Sequence, residues 1–162
     1  MWYAGVVWRT TLAPLMPLSV YLFAAAMGVL VAFLMGTVQF GYTFYMYNQL
    51  VSAVGNGARY AAQRTYRAAS DEDVKKGEAA IRNMVVYGDS RPVPEASPVV
   101  PQLTPEHIEV HWVKNGDGKP ASVGVTIKGF TINPIFKSFT FDGRPSVEFP
   151  YVGRYAPAES EQ

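Results

Sequence analysis

The sequence lacks cysteine altogether, and charged residues are scarce in its first third. The absence of cysteine excludes disulfide bonds, thiolate metal sites and cysteine nucleophiles. Charged residues make up 17% of the 162 residues, against about 25% in an average soluble domain. No Asp, Glu, Lys or Arg occurs from Thr10 to Ala58. Water cannot solvate so long an apolar stretch, whereas a bilayer accommodates about 20 such residues. The sequence therefore predicts two parts in two different solvents.

The remaining charges are balanced, and motifs for catalysis are missing. Residues 59–162 carry 13 basic and 13 acidic side chains, with no basic stripe, so we expect no nucleic-acid binding. There is no GxSxG elbow, phosphate loop or HExxH motif. His107 and His111 suggest a metal pair, but four residues of strand separate them by about 13 Å, too far to share an ion. We predict no enzyme, cofactor or metal site.

An uninterrupted apolar run extends from Leu18 to Val38. As a helix its 21 residues span roughly 31 Å, enough to cross the hydrocarbon core of a membrane. Pro14 and Pro17 precede the run and favour a helix start there. A cluster of aromatic residues follows it and is typical of a membrane–water interface: Phe40, Tyr42, Phe44, Tyr45 and Tyr47. The run therefore predicts a transmembrane helix.

Two alternatives for this run remain. A buried helix hairpin in a soluble protein also requires long apolar segments. A secretory signal peptide is the second alternative, since Ala24-Ala25-Ala26 resembles a small-residue cleavage site. The apolar run continues about a dozen residues past this site, which favours a retained anchor.

The orientation of the helix follows from Arg9, because no Lys or Arg occurs in the 20 residues after Val38. The positive-inside rule then places the N-terminus in the cytoplasm and the rest outside.

The helix is expected to continue beyond the membrane. Gln39 to Arg67 contains no proline, and its weak points are Gly55 and Gly57, each costing about 1 kcal/mol relative to Ala. Within the span small residues recur every four positions, which lets a neighbouring helix approach closely: Ala24, Gly28, Ala32 and Gly36. We name these four residues the small-residue stripe. The alternative is that Ala and Gly are simply common in membrane helices.

The outward-facing part predicts an α+β fold. Ser70 to Asp73 has the side chains of a helix start, and Gly88 is expected to end a helix that begins near Glu72. Its apolar face comprises Val74, Ile81, Met84 and Val85. Five prolines between Pro92 and Pro105 then predict an extended connector.

The pattern after the connector alternates with period two. Ile108, Val110 and Trp112 form the apolar side of one strand, and Val123, Val125 and Ile127 form that of the next. Asn115-Gly116-Asp117-Gly118 between them predicts a hairpin. Two further strands are expected at 138–141 and 147–152. The expected fold is therefore a helix packed on a small antiparallel sheet.

Several segments resemble TadE-like minor pseudopilins. The N-terminal helix carries Phe40-Gly41, Phe44-Tyr45 and the run Gly57 to Ala62. Four later segments are also similar, and together the resemblance covers about residues 20–155: Ala80 to Gly88, Val99 to Thr104, Gly129 to Ile132 and Val147 to Arg154.

The resemblance implies a minor pilin-like subunit or membrane-anchored accessory protein of a tight-adherence (Tad) pilus. Its implied partners are the membrane and other pilin-like subunits or assembly machinery, contacted through the N-terminal helix. Its implied location is the bacterial inner membrane, with the C-terminal domain in the periplasm. A prepilin has a glutamate near the start of the apolar run, whereas no glutamate precedes Glu72 here. We therefore expect an unprocessed, membrane-resident partner. The alternative is an anchored periplasmic binding or scaffold module of another envelope complex.

The predicted organisation has five segments. They are a cytoplasmic N-terminus (1–17), a transmembrane helix (18–38), an extracytoplasmic extension of a long pilin-like helix (39–69), a small α+β domain (70–155) with a proline-rich connector (89–105), and a flexible tail (156–162).

Overall fold

The computed structural model describes residues 17–67, 71–133 and 138–156. The predicted N-terminus up to residue 16, the capping residue Ser70 and most of the predicted tail lie outside the described residues. The chain divides between Gly41 and Tyr42 into two compact units.

The first helix, α1 (Leu18–Gln63), runs for 46 residues, or about 69 Å. It begins directly after Pro17, as predicted, with the amide of Val20 bonded to the Pro17 carbonyl at 2.7 Å. It ends at Gln63 and does not reach residue 69. The amide of Arg64 still donates to the carbonyls of Tyr60 and Ala61. The chain then leaves the helix and forms a short strand at Tyr66–Arg67.

The second helix, α2 (Asp71–Tyr87), agrees with the predicted helix. It ends at Gly88, which has φ +73° and donates its amide to the Met84 carbonyl at 3.0 Å. A glycine in this left-handed conformation is a common helix ending. Ile81 and Val85 are buried on the predicted face, whereas Val74 and Met84 are half-buried.

Within the described residues seven strands form three small sheets, whereas a single sheet was predicted. The strands are β1 (Tyr66–Arg67), β2 (Ile108–Lys114), β3 (Pro120–Ile127), β4 (Phe130–Ile132), β5 (Phe139–Phe141), β6 (Ser146–Pro150) and β7 (Tyr155–Ala156). The central sheet has the order β2-β3-β6 and is antiparallel. β4 pairs antiparallel with β5, and β1 pairs parallel with β7. The α+β class is confirmed.

The central sheet follows the predicted alternation. Val110 lies opposite Val125, which in turn lies opposite Val147, and these side chains face the core. The predicted hairpin connects β2 and β3, where the Asn115 amide bonds to the Lys119 carbonyl at 2.7 Å. The opposite face is polar. An exposed ion pair joins Lys128 to Glu109 there at 3.6 Å, and the ring of His111 lies over Gly124.

The core of the second unit lies between the sheet, α2 and the C-terminal half of α1. Buried residues of α1 follow helical spacing and form one continuous stripe: Met46, Leu50, Ala53, Val54, Gly57, Ala58, Ala61 and Ala62. The proline-rich connector has no helix or strand before a short 3-10 turn at Pro105–His107. It is more than a spacer, because Val100 and Leu103 are almost fully buried in the same core.

Candidate functional site

The N-terminal part of α1 presents an exposed apolar surface. Every described residue from Leu18 to Val38 is exposed, including Phe23 at 66% and Phe33 at 71%. Within the described residues, α1 is the one helix long and apolar enough to cross a membrane. None of its most apolar 18-residue segment is buried, whereas a core helix of a soluble protein would be mostly buried. These features fit a single-pass membrane anchor.

The small-residue stripe lies within this apolar surface. Ala24, Gly28, Ala32 and Gly36 are all exposed. A methyl group added at Gly28 or Gly36 would meet no atom within 4 Å, so nothing in the described chain uses the space they leave. Positions four apart drift by about 40° around a helix, so the stripe is a curved track rather than a straight seam. Its role in helix packing stays a prediction.

The predicted interfacial aromatics divide into two groups. Phe40, which precedes the unit boundary, is exposed, as are Tyr42, Phe44 and Tyr45 beyond it. The Tyr45 hydroxyl accepts a hydrogen bond from the Gln49 amide at 2.9 Å on the helix surface.

Tyr47 differs from the other four aromatic residues. Its ring is half-buried against Phe141 of β5, with centroids 5.8 Å apart. This contact gives Tyr47 a packing role within the second unit. Sequence spacing could not separate it from its neighbours, because the contact comes from a strand almost a hundred residues later.

The C-terminal end of α1 is closed by the segment 151–155, of which residues 151 and 152 were predicted to belong to a strand that in the structure ends at Pro150. The amide of Val152 donates to the Ala62 carbonyl at 3.0 Å, one of the helix-end carbonyls that lack a partner within the helix. The Tyr66 amide donates to the Arg154 carbonyl at 3.0 Å. The segment therefore supplies hydrogen-bond partners at the point where α1 stops.

Tyr151 and Gly153 make this closure tight. The Tyr151 hydroxyl accepts from the Tyr66 amide at 2.9 Å and is directed at the carbonyls of Arg64 and Arg154, at 2.8 and 2.9 Å. A side chain at Gly153 would collide with the Arg64 carbonyl. Burial raises the pKa of the Tyr151 phenol above its ordinary value, against the opposing effect of the hydrogen bond from Tyr66. Residues 151–154 thus have a structural role at the end of α1.

A cleft of about 350 Å³ lies between β1, α2 and β2. Its walls combine charged groups with aromatic and aliphatic side chains: Arg64, Asp73, Lys76 and Glu78 with Tyr66, Val74, Ile81 and Trp112. The Arg64 guanidinium donates to the Gly77 carbonyl at 3.3 Å. The indole nitrogen of Trp112 is buried and has no hydrogen-bond partner among the described residues, and the Tyr66 ring lies edge-on at 4.8 Å. The cleft is a mixed polar pocket and differs from a deep apolar ligand pocket.

The two histidines occupy separate surroundings. His107 ends the 3-10 turn, and its Nδ1 lies 2.9 Å from the Thr104 hydroxyl. His111 lies on the polar face of β2. Within residues 17–67, 71–133 and 138–156, no group of three or more His, Asp or Glu side chains could hold a metal ion.

Comparison with known proteins supports the resemblance over one part of the chain. The search of curated proteins and the search of solved structures each found no match. The family model described as TadE-like protein matches residues 23–59. This segment comprises most of α1, including the small-residue stripe, all five aromatics and Gly57. The predicted TadE-like resemblance is therefore confirmed for the long N-terminal helix, where residues 23–59 match the TadE-like family model.

Proposed function

We propose that this protein is a single-pass, membrane-anchored and pilin-like component of a Tad-type adhesive pilus, acting as a minor subunit or an assembly accessory protein. The observation that carries the proposal is the TadE-like match over residues 23–59. The match coincides with a helix that is apolar and exposed at one end and packed into a globular core at the other. A helix of this kind can anchor a domain and present a surface to neighbouring helices.

Lipid is the first partner of this helix. An exposed apolar surface of this size is unfavourable in water. In a bilayer the same side chains contact acyl chains at no cost in free energy. Backbone groups within the span are satisfied by the helix itself, as a membrane requires. The anchor is accordingly Leu18 to Val38, with the exposed aromatic side chains at its outer end.

Other pilin-like helices are the second partner. Helices in lipid gain no hydrophobic free energy by associating, so close backbone approach decides which faces pack. The open space above Gly28 and Gly36 supports such an approach. With the helix anchored in a bacterial inner membrane, the globular unit from Tyr42 onward would lie in the periplasm. The position of Arg9 favours this orientation under the positive-inside rule.

Deletion of the gene tests the proposed function. We expect the mutant strain to lose sheared surface fibres and surface adhesion, and a complementing copy to restore both. A C-terminal tag then reports whether the protein fractionates with membranes or with sheared fibres, which distinguishes an accessory protein from a fibre subunit. Normal fibres and adhesion in a host that makes this pilus would overturn the proposal.

Substitution within the stripe tests the helix contact separately. Gly28→Leu and Gly36→Leu add bulk where the stripe allows close approach, and we expect both to reduce cross-linking to partner helices while membrane insertion persists. Ala26→Leu is the matched control for Gly28→Leu, because a separation of two residues, about 200° of rotation, places the added bulk on the far side of the helix from Gly28. Unchanged cross-linking in both glycine variants would remove the stripe from the proposal.

The alternative function is an anchored periplasmic binding or scaffold module of another envelope complex. The cleft beside Trp112 favours it, since a volume of about 350 Å³ lies at the lower end of the range for small-molecule sites. Its polar lining favours it less than an apolar pocket would. A deletion strain with normal fibres but a defect in another envelope process would support this alternative.

A further inference from the structure

The described chain contains two Asn-Gly pairs in contrasting surroundings. Asn56-Gly57 lies inside α1, and Asn115-Gly116 lies in the loop between β2 and β3. An asparagine followed by glycine is chemically labile, because glycine has no side chain to hinder attack by its own backbone nitrogen. Whether the reaction proceeds depends on whether that nitrogen can reach the asparagine side chain.

In the hairpin loop the reacting groups are free. Asn115 and Gly116 are both exposed. The backbone of Asn115 is anchored on either side, with its amide bonded to the Lys119 carbonyl at 2.7 Å and its carbonyl accepting from the Gly118 amide at 2.9 Å. Within the described residues, neither the Gly116 amide nor the Asn115 side chain takes part in a hydrogen bond. No atom lies within 4 Å of a methyl group built on Gly116.

In α1 the same groups are held apart. A helical amide is committed to the carbonyl four residues earlier, which for Gly57 is that of Ala53. Gly57 is also buried against Val85 of α2. Reaction at Asn56 therefore requires local opening of a packed helix, whereas reaction at Asn115 requires only rotation within an exposed loop.

We propose that Asn115 is a site of spontaneous deamidation, with water as the only co-reactant. The deprotonated Gly116 nitrogen attacks the Asn115 side-chain carbonyl carbon and forms a new C–N bond. The bond from that carbon to the amide nitrogen breaks, and the nitrogen leaves as ammonia after taking up a proton. Water then opens the resulting succinimide at either carbonyl, giving aspartate or isoaspartate.

The product changes the hairpin in two ways. A carboxylate replaces a neutral amide between Lys114 and Lys119, next to Asp117, so the loop loses one positive unit of net charge. Isoaspartate also inserts an extra carbon into the backbone. This insertion disturbs the paired bonds that Asn115 makes with Lys119 and Gly118, because both depend on the spacing of its amide and carbonyl.

Peptide mapping of the intact, detergent-solubilised chain tests the proposal. After incubation in mildly alkaline buffer, mass spectrometry reports conversion of amide to carboxylate at each Asn-Gly pair. We expect Asn115 to convert at least about tenfold faster than Asn56, which is the internal control in the same molecule. Similar rates at the two sites in the folded protein, or faster reaction at Asn56, would overturn the proposal.

Two further samples separate structure from sequence. In denaturant we expect the two rates to converge, because both pairs then have the same freedom. Gly116→Ala introduces a methyl group where the loop has room, so the fold is kept and reaction at Asn115 should slow severalfold. An unchanged rate in a variant whose circular dichroism matches the parent would rule out attack by the residue 116 nitrogen.

Discussion

Gly57 of α1 faces the fully buried side chain of Val85 in α2, and a methyl group on Gly57 would overlap a Val85 methyl. The absence of a side chain at Gly57 leaves the space that the Val85 side chain occupies, and Ala58 and Ala61 on the same helix are fully buried as well. The glycine that weakens α1 as an isolated helix is the residue that admits α2.

Gly57→Ala is expected to destabilise the protein by roughly 1 kcal/mol. Overpacking a filled core typically costs 1–3 kcal/mol, and the better helix propensity of alanine returns about 1 kcal/mol of it. Denaturant unfolding of the detergent-solubilised chain measures the change. Gly55→Ala is the control, since no atom lies near that position, and it should stabilise the helix by up to about 1 kcal/mol. Equal effects at the two glycines would show that the contact with Val85 is unimportant.

Tyr151→Phe is expected to lower the free energy of unfolding by about 1–2 kcal/mol, because the lost hydroxyl accepts from the Tyr66 amide and donates its one hydrogen to the Arg64 or the Arg154 carbonyl. Among the described residues the ring of Tyr155 only stacks on Tyr66, at 6.2 Å, so Tyr155→Phe should change little. The same unfolding assay compares the two variants. A neutral Tyr151→Phe would mean that the closure of α1 depends on the backbone bonds alone.

Alkaline pH is expected to weaken the same closure. Burial raises the pKa of Tyr151 above its ordinary value of 10.0, so the unfolded chain loses this proton at lower pH than the folded chain. The contribution of Tyr151 to stability is therefore complete below pH 10.0 and decreases as the pH rises above it. The measurement is the difference in unfolding free energy between the parent protein and Tyr151→Phe as a function of pH. A difference in unfolding free energy that increases above pH 10.0 would contradict the raised pKa of Tyr151.

Val29→Arg is expected to impair membrane insertion, because Val29 lies near the middle of the apolar span and is 72% exposed. A central arginine costs about 2.5–3.5 kcal/mol of apparent insertion free energy. An insertion assay with the translocation machinery measures this cost. Ser52→Arg adds the same charge on the exposed surface of α1 in the second unit and should leave insertion unchanged. If both variants insert like the parent, the 18–38 segment is not the membrane span.

Patterns that depend on neighbouring residues were readable from the sequence. The apolar run after Pro17 determined where α1 begins, since lipid solvation requires only length and apolarity. The alternation around Val110 and Val125 identified the two longest strands and their buried face. Asn115-Gly116-Asp117-Gly118 identified the hairpin, because turn conformation is a local property of those residues.

Contacts between distant segments were decided only by the tertiary structure. Sequence periodicity extended α1 towards residue 69, but its end at Gln63 depends on Tyr151 to Arg154, more than eighty residues later. The prolines of the connector predicted irregular backbone and could not show that Val100 and Leu103 fill the core. In the sequence Tyr47 is one of five similar aromatic residues, and only the contact with Phe141 in the fold distinguishes it from the others. Local sequence determined the anchor, the helices and the main strands, whereas burial by distant partners determined where α1 stops and which of its small residues face α2.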